Sequence, residues 1–179
     1  MTSGKKYPYS STHVEMSSDV KDAFLEKGKK IVSKPQLYKP DNKFYGLTDY
    51  PHITVLYGIH AKDPSVELMD IVETYPKFTI TLGNISLFKG DEQNNPFDVI
   101  KLDINCPDLH ALNTAFKNCC EFTSDYPDYK PHATVAYVQP NTHDHLVGLP
   151  AFQGWSFVID KIMFSGKNGI ERSIFLARR

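Results

Sequence analysis

The chain has 179 residues, 41% of them hydrophobic and 23% charged, and its 20 basic against 21 acidic side chains leave a net charge of −1. That length suits a single domain with a sizeable core, and the composition excludes both a disordered chain and a membrane-spanning one. Near-neutral charge argues against a grip on long nucleic acid by counterion release, which takes a basic excess.

No apolar run approaches the ~20 residues of a bilayer span, and the opening MTSGKKYPYSSTH is too polar for a signal peptide. The cysteines Cys106, Cys119 and Cys120 form neither an even framework nor a zinc spacing. Reduced thiols fit them best, so the expectation is a cytoplasmic protein with no membrane contact and no obligate protein partner.

Residues 1–9 read as a loose leader and SSTHVEM, residues 10–16, as an alternating strand. From Asp19 the apolar residues Val20, Ala23, Phe24, Ile31 and Val32 recur at helical spacing, with Ser18 or Asp19 as N-cap and Lys34-Pro35 as the end. A long loop, 36–50, leads into the strand PHITVLYG. SVELMDIVETY predicts a second helix capped by Ser65, followed by the strand FTITLGNISLF, the loop KGDEQNNPFD and the strand VIKLDIN. PDLHALNTAFKNCCEF predicts a third helix with Pro107 in its first turn and its cysteines buried as small apolar residues. The strand PHATVAYV follows. The chain closes with WSFVIDKIMFSG and RSIFLA, joined through the hairpin signal Lys167-Asn168-Gly169. Strands and helices alternate in two similar halves, which predicts one α+β domain over 1–179 with two sheet-bearing lobes and outer helices.

One segment occurs twice. Pro51-His52-Ile53-Thr54-Val55-Leu56-Tyr57 returns 80 residues later as Pro131-His132-Ala133-Thr134-Val135-Ala136-Tyr137. Strand alternation puts His52, Thr54 and Leu56 on one face, and His132, Thr134 and Ala136 on the equivalent one, with Ile53, Val55, Tyr57 and Ala133, Val135, Tyr137 turned to the core. Leu56 and Ala136 would then floor a cleft. Two imidazoles suit a reaction that needs one base and one acid near neutral pH. Each threonine adds a hydroxyl donor ~6.6 Å further along the same face. Four such groups around one phosphate fit in-line displacement at phosphorus with no metal and no cofactor.

The paired His-x-Thr motifs, their order among the helices and the chain length resemble the 2H phosphoesterase superfamily, which includes 2′-5′ RNA ligase-like proteins and cyclic phosphodiesterases. The resemblance implies a bilobal fold, two antiparallel-sheet lobes around a central cleft, metal-independent catalysis, and His52, Thr54, His132 and Thr134 as a catalytic tetrad. GLTDYPHITVLYGIH, YKPHATVAYV and FSGKNG are most similar to bacteriophage members, some of which are anti-CBASS nucleases acting on cyclic oligonucleotide immune messengers. The resemblance therefore implies a small cyclic oligonucleotide as substrate, with RNA 2′,3′-cyclic ends or 2′-5′ linkages as the alternative and a non-catalytic nucleotide-sequestering module as a third reading.

Among the remaining candidates, Phe88 and Trp155 are the aromatics expected to stack on a base. His143-Asp144-His145 reads as a solvated loop or helix start rather than a metal site, since a third buried partner is not in view. His60 shares the parity of the cleft face but sits at a strand end. His13 and His110 support no role. The mixed-sign lysine stretch from Lys21 to Lys43 reads as a solvated face.

Overall fold

In the computed structural model, which describes residues 7–91 and 93–178, strands and helices alternate in the order β1 (Ser10–Glu15), α1 (Ser18–Ile31), β2 (His52–Ile59), α2 (Val66–Thr74), β3 (Phe78–Phe88), β4 (Asp98–Ile104), α3 (Pro107–Cys119), β5 (His132–Val138), β6 (Ser156–Ile159), β7 (Lys161–Ser165) and β8 (Glu171–Phe175). Residues 1–6 of the expected leader lie outside the described residues. The rest of it is tied down: the Tyr7 amide donates to the Lys167 carbonyl at 2.9 Å, and the Tyr9 ring packs on Tyr57.

The strands form one sheet in the order β6-β3-β4-β5-β2-β1-β7-β8, with every neighbouring pair antiparallel. Strands β3 to β6 make one half, and β1, β2, β7 and β8 the other. The halves meet through a single ladder pair, Ile53 opposite Ala133. Strands β2 and β5 therefore overlap only at their first residues and then run apart. Beyond the overlap, β5 takes backbone bonds from the loop before β2 (Thr48 amide to Val135 carbonyl, 3.0 Å), and β2 takes them from the segment after α3 (Thr123 amide to Gly58 carbonyl, 2.9 Å). The second approach is so close that a Cβ at residue 58 would overlap the Thr123 carbonyl, and Gly58 sits at φ +89°.

WSFVIDKIMFSG, expected as one strand, is broken at Asp160 into β6, which pairs with β3, and β7, which pairs with β1. Strands from distant places in the sheet are thus joined by one residue, and the ~3.8 Å between successive Cα atoms forces the sheet to curl until those places meet. Ser65 caps α2 as expected, accepting from the Leu68 amide at 3.2 Å. Helix α1 starts one residue earlier than its reading, with Ser17 as N-cap. Helix α3 stops at Cys119, so only Cys106 of the three cysteines is buried, and Cys119 and Cys120 are half-buried at its last turn. Phe24, Leu68, Val72, Leu109, Leu112 and Phe116 from the helices share one core with Ile53, Val55, Ile100, Leu102, Ala133 and Val135 from the sheet. No helix among the described residues is long and apolar enough to cross a membrane.

The expected cleft floor needs correction. Along β2 the partner register jumps from Thr54 to Leu56, and along β5 from Thr134 to Ala136, so Val55 and Val135 are each the extra residue of a β-bulge. Both residues of each bulge turn inward. Val55, Leu56, Val135 and Ala136 are all buried in the core, and the parity beyond them flips, leaving Tyr57 exposed and Tyr137 half-exposed.

Candidate active site

The geometry of the tetrad follows from the overlap of two strand tips. With Ile53 opposite Ala133 in an antiparallel pair, the register sets His52 across from Thr134 and Thr54 across from His132, on the face away from the helices. Facing residues in such a pair have Cβ atoms ~4.5–5.5 Å apart, so the four side chains surround one space.

Both histidines are oriented alike. His52 Nδ1 lies 2.9 Å from the Tyr50 carbonyl oxygen, and His132 Nδ1 lies 2.8 Å from that of Lys130. A carbonyl oxygen only accepts, so Nδ1 carries a proton in both rings, which leaves Nε2 as the atom that takes up or gives away the second proton. In each copy the intervening residue is a proline, Pro51 or Pro131, whose fixed φ helps hold that carbonyl against the ring. Among the described residues neither Nε2 nor the hydroxyls of Thr54 and Thr134 has a hydrogen-bond partner, while no buried side-chain nitrogen or oxygen lacks one. These four atoms are therefore open to solvent.

The repeat extends to the neighbouring strands. On β1, His13 lies opposite Thr54 and Glu15 opposite His52. On β4, Lys101 lies opposite Thr134 and Asp103 opposite His132. Each catalytic-type histidine thus has a carboxylate beside it in the ladder, supplied by His13-Val14-Glu15 on one side and Lys101-Leu102-Asp103 on the other.

In the first half Tyr50 is the organiser. Its hydroxyl donates to the Glu15 carboxylate and accepts from His13 Nε2 at 3.2 Å, and its ring lies 5.6 Å from that of His52. Burial, reinforced by His52, lowers the His13 pKa to about 4, so this ring is neutral at neutral pH. Burial pushes the Glu15 carboxyl up, but the Tyr50 hydroxyl and Lys161, 3.4 Å away, outweigh it and hold it below the usual carboxylate range. Burial and then the bond to Glu15 push the Tyr50 hydroxyl up.

In the second half Lys101 is 6% exposed and donates to Ser86 at 2.6 Å and to Asp103. Its ammonium lies 4.3 Å from the Phe88 ring centroid, and Phe88 stands edge-on to His132 at 4.9 Å. Burial lowers the His132 pKa; Lys101 and His52 push the same way, against the Lys130 carbonyl and Asp103.

Phe88, expected to contact substrate, thus reaches the tetrad. Trp155 does not: it packs at 5.3 Å on Phe152, which packs at 5.0 Å on Phe24 of α1, on the helix side of the sheet. His60 hydrogen-bonds Thr123 at 2.8 Å and stacks on Tyr9 at the far end of β2. His143 is buried, with Nε2 accepting the Ser33 amide at 3.2 Å, and Asp144 pairs with Lys89 at 2.8 Å. Among the described residues no group of three or more His, Cys, Asp or Glu side chains is placed to hold a metal ion. Sequence reasoning gave no role to His13, Glu15, Lys101 and Asp103; the signal was the alternation of His13-x-Glu15 and Lys101-x-Asp103, which acquires meaning only once strand neighbours are known.

A model of the 2′-5′ RNA ligase superfamily matches residues 25–164. Among solved structures, Usb1 of Kluyveromyces marxianus is similar at a TM-score of 0.60 and 10% identity, over 94% of this chain and 98% of that one. TT0787 of Thermus thermophilus is similar at 0.58 and 14%, over 93% and 94%. E. coli LigT complexed with 3′-AMP is similar at 0.55 and 13%, over 94% and 95%. At these identities the likeness is one of fold. No curated protein sequence matches the chain.

Proposed function

The chain belongs to the 2′-5′ RNA ligase superfamily, and on that premise we propose that it is a phosphodiesterase cleaving ribonucleotide phosphodiester bonds by acid–base catalysis between His52 and His132. The observation that carries this reading is the set of four open atoms, two imidazole Nε2 and two threonine hydroxyls, facing one space from overlapping strand tips.

His132 is assigned the base, because burial, with the Lys101 ammonium, favours its neutral form. Its Nε2 takes the proton of a 2′-hydroxyl. The 2′-oxygen attacks phosphorus, and the bond from phosphorus to the 5′-oxygen breaks in line with it. His52, entering protonated, gives its Nε2 proton to the departing oxygen. The products are a 2′,3′-cyclic phosphate and a free 5′-hydroxyl, with the proton count unchanged. The same pair in exchanged roles adds water across the cyclic phosphate. Thr54 and Thr134 donate to the non-bridging oxygens as their charge grows.

The favoured substrate is a small cyclic oligonucleotide, a reading that rests on the resemblance of the motif segments to bacteriophage members and on the absent basic excess. A second reading, processing of RNA 2′,3′-cyclic ends or 2′-5′ linkages, is favoured by the complexes of the fold relatives: LigT with 3′-AMP and Usb1 with uridine monophosphate. The test is cleavage, with EDTA present, of cyclic dinucleotides, cyclic trinucleotides, 2′-5′ oligoadenylate and RNA ending in a 2′,3′-cyclic phosphate, read by mass spectrometry. His52→Ala and His132→Ala should each lose ~10²–10⁴ in turnover with the fold intact. Cutting of cyclic messengers alone supports the first substrate, and turnover of RNA ends alone supports the second. Wild-type rates in both variants would sink the mechanism.

A further inference from the structure

We infer that Cys119 and Cys120 form a site for a single soft, thiophilic atom, and that a trivalent arsenical is the class of ligand it takes. The site lies at the last turn of α3, on the helix side of the sheet and away from the tetrad, and it does not depend on the phosphodiesterase reading.

Adjacent residues within a helix point in different directions and do not face each other. Here the helix ends between the two cysteines. Cys119 is the last residue of α3, and Cys120, its C-cap, has extended backbone at φ −122° and ψ 139°. That change of backbone brings the two Sγ atoms to 3.5 Å. The chain around them is bonded on both sides: the Cys120 amide donates to the Phe116 carbonyl at 2.9 Å, the His60 amide to the Glu121 carbonyl at 3.0 Å, and the Thr123 amide to the Gly58 carbonyl at 2.9 Å. The pair is thus held in place before a ligand arrives. It is half-buried rather than sealed, so a small reagent can reach it.

The spacing selects what can join the sulfurs. Neighbouring Cα atoms are ~3.8 Å apart, less than the ~4.4–6.8 Å that a disulfide spans, which disfavours a direct bond. A one-atom bridge meets no such obstacle. With bonds of ~2.3 Å from sulfur to the captured atom, Sγ atoms 3.5 Å apart enclose an angle of about 100° at it. A pyramidal trivalent centre holds its bonds near that angle, whereas a structural zinc ion asks for two more protein ligands, and no group of three or more His, Cys, Asp or Glu side chains is in place among the described residues. The protons point the same way. The Cys119 thiol donates to the Phe116 carbonyl at 3.5 Å, which leaves the Cys120 thiol to donate to Cys119 Sγ. Burial and then that bond push the Cys120 thiol up to about 12, so it keeps its proton at neutral pH. Zinc has to displace such a proton at its own cost, but an arsenoxide takes it on its own oxygen. On capture two arsenic–sulfur bonds form, the arsenic–oxygen bond breaks, and both thiol protons leave with that oxygen as water. Arsenic stays trivalent, so no oxidant or reductant is consumed.

The experiment mixes phenylarsine oxide with the full chain, first reduced by a phosphine and freed of it, and reads the intact mass under non-denaturing conditions and the thermal midpoint. The parent and Cys106→Ser should each gain the mass of one arsenical less one water. The adduct should be removed by 2,3-dimercaptopropanol and survive the same concentration of a monothiol. Cys119→Ser and Cys120→Ser should lose it, and Cys119→Ala, which adds no hydroxyl, should behave as Cys119→Ser does. Capture should raise the parent's midpoint, because the folded chain holds the two sulfurs at bridging distance and the unfolded chain does not. No adduct on the parent, its loss in folded Cys106→Ser, or equal adducts on the Cys119 and Cys120 variants overturns the site. An adduct that leaves the midpoint unchanged or lowers it also overturns the site, since the fold would then place the sulfurs no better than a flexible chain does.

Discussion

Lys101 and Asp103 face the same histidine with opposite charges, so their removal should move its titration in opposite directions. Burial sets His132 below the ordinary imidazole value; the Lys101 ammonium pushes it further down, and the Asp103 carboxylate pulls it up. The acidic limb of kcat/KM reports the base of the free enzyme. With His132 as base, activity falls as pH drops through its lowered pKa. Lys101→Met deletes a cation that disfavours the imidazolium and leaves Asp103 unopposed, so the limb moves to higher pH. Asp103→Asn leaves the ammonium without its carboxylate, and the limb moves to lower pH. A pH–rate series on the two variants checks this, and shifts of the same sign in both would take the base assignment away from His132. Lys101→Met also strips Ser86 and Asp103 of a donor, and Lys101→Arg, which keeps the charge, should hold the limb near its parental position.

At the scale of elements, the bulge is the device that separates a motif from a site. The first bulge has its carbonyls held from outside the sheet. Asn113 of α3, itself buried, donates to the Val55 carbonyl at 2.7 Å, and the Tyr129 hydroxyl donates to the Thr54 carbonyl at 2.8 Å. Asn113→Leu keeps the volume but orphans a buried carbonyl, a loss of about 1–3 kcal/mol, visible as a lower thermal midpoint. It should also cost turnover, because Val55 is next to Thr54. An unchanged midpoint with unchanged turnover would mean that the bulge holds itself. The same device marks how far the sequence could be read. The helices, the Ser65 cap, the final hairpin and the tetrad were legible because they rest on local periodicity and a visible repeat. The bulges were not, since an extra residue shows only against a partner strand, and alternation alone sent Leu56 to the cleft and Tyr57 to the core. Glu15, His13, Lys101 and Asp103 were hidden for the same reason. Trp155 misled because an aromatic beside a turn carries no sign of which face it will cover.

At the scale of the molecule, the chain begins in one half of the sheet with β1 and β2, spends β3 to β6 in the other, and returns with β7 and β8. Neither half is made of one continuous stretch with both ends free. The half that carries His52 is closed by β7 along β1, and β7 is reached only through the other half and Asp160. The apolar core, moreover, is shared: Val14, Ile53 and Phe164 from one half belong to the same cluster as Ile80, Ile100 and Val135 from the other. Only one ladder pair links the strands of the two halves across the tetrad, so the link is made by core packing, by chain connectivity and by the backbone bonds that β5 takes from the loop before β2. Unfolding should therefore be a single transition, with calorimetric and van't Hoff enthalpies equal and with Trp155 fluorescence and far-UV dichroism coinciding. Truncation after Asp160 removes β7 and β8, bares the β1 edge, and should abolish that transition for the whole chain, the half containing His132 included. Two resolved transitions, or a truncated chain that still melts cooperatively, would show instead that the halves are separate domains and that the tetrad is assembled at an interface free to open.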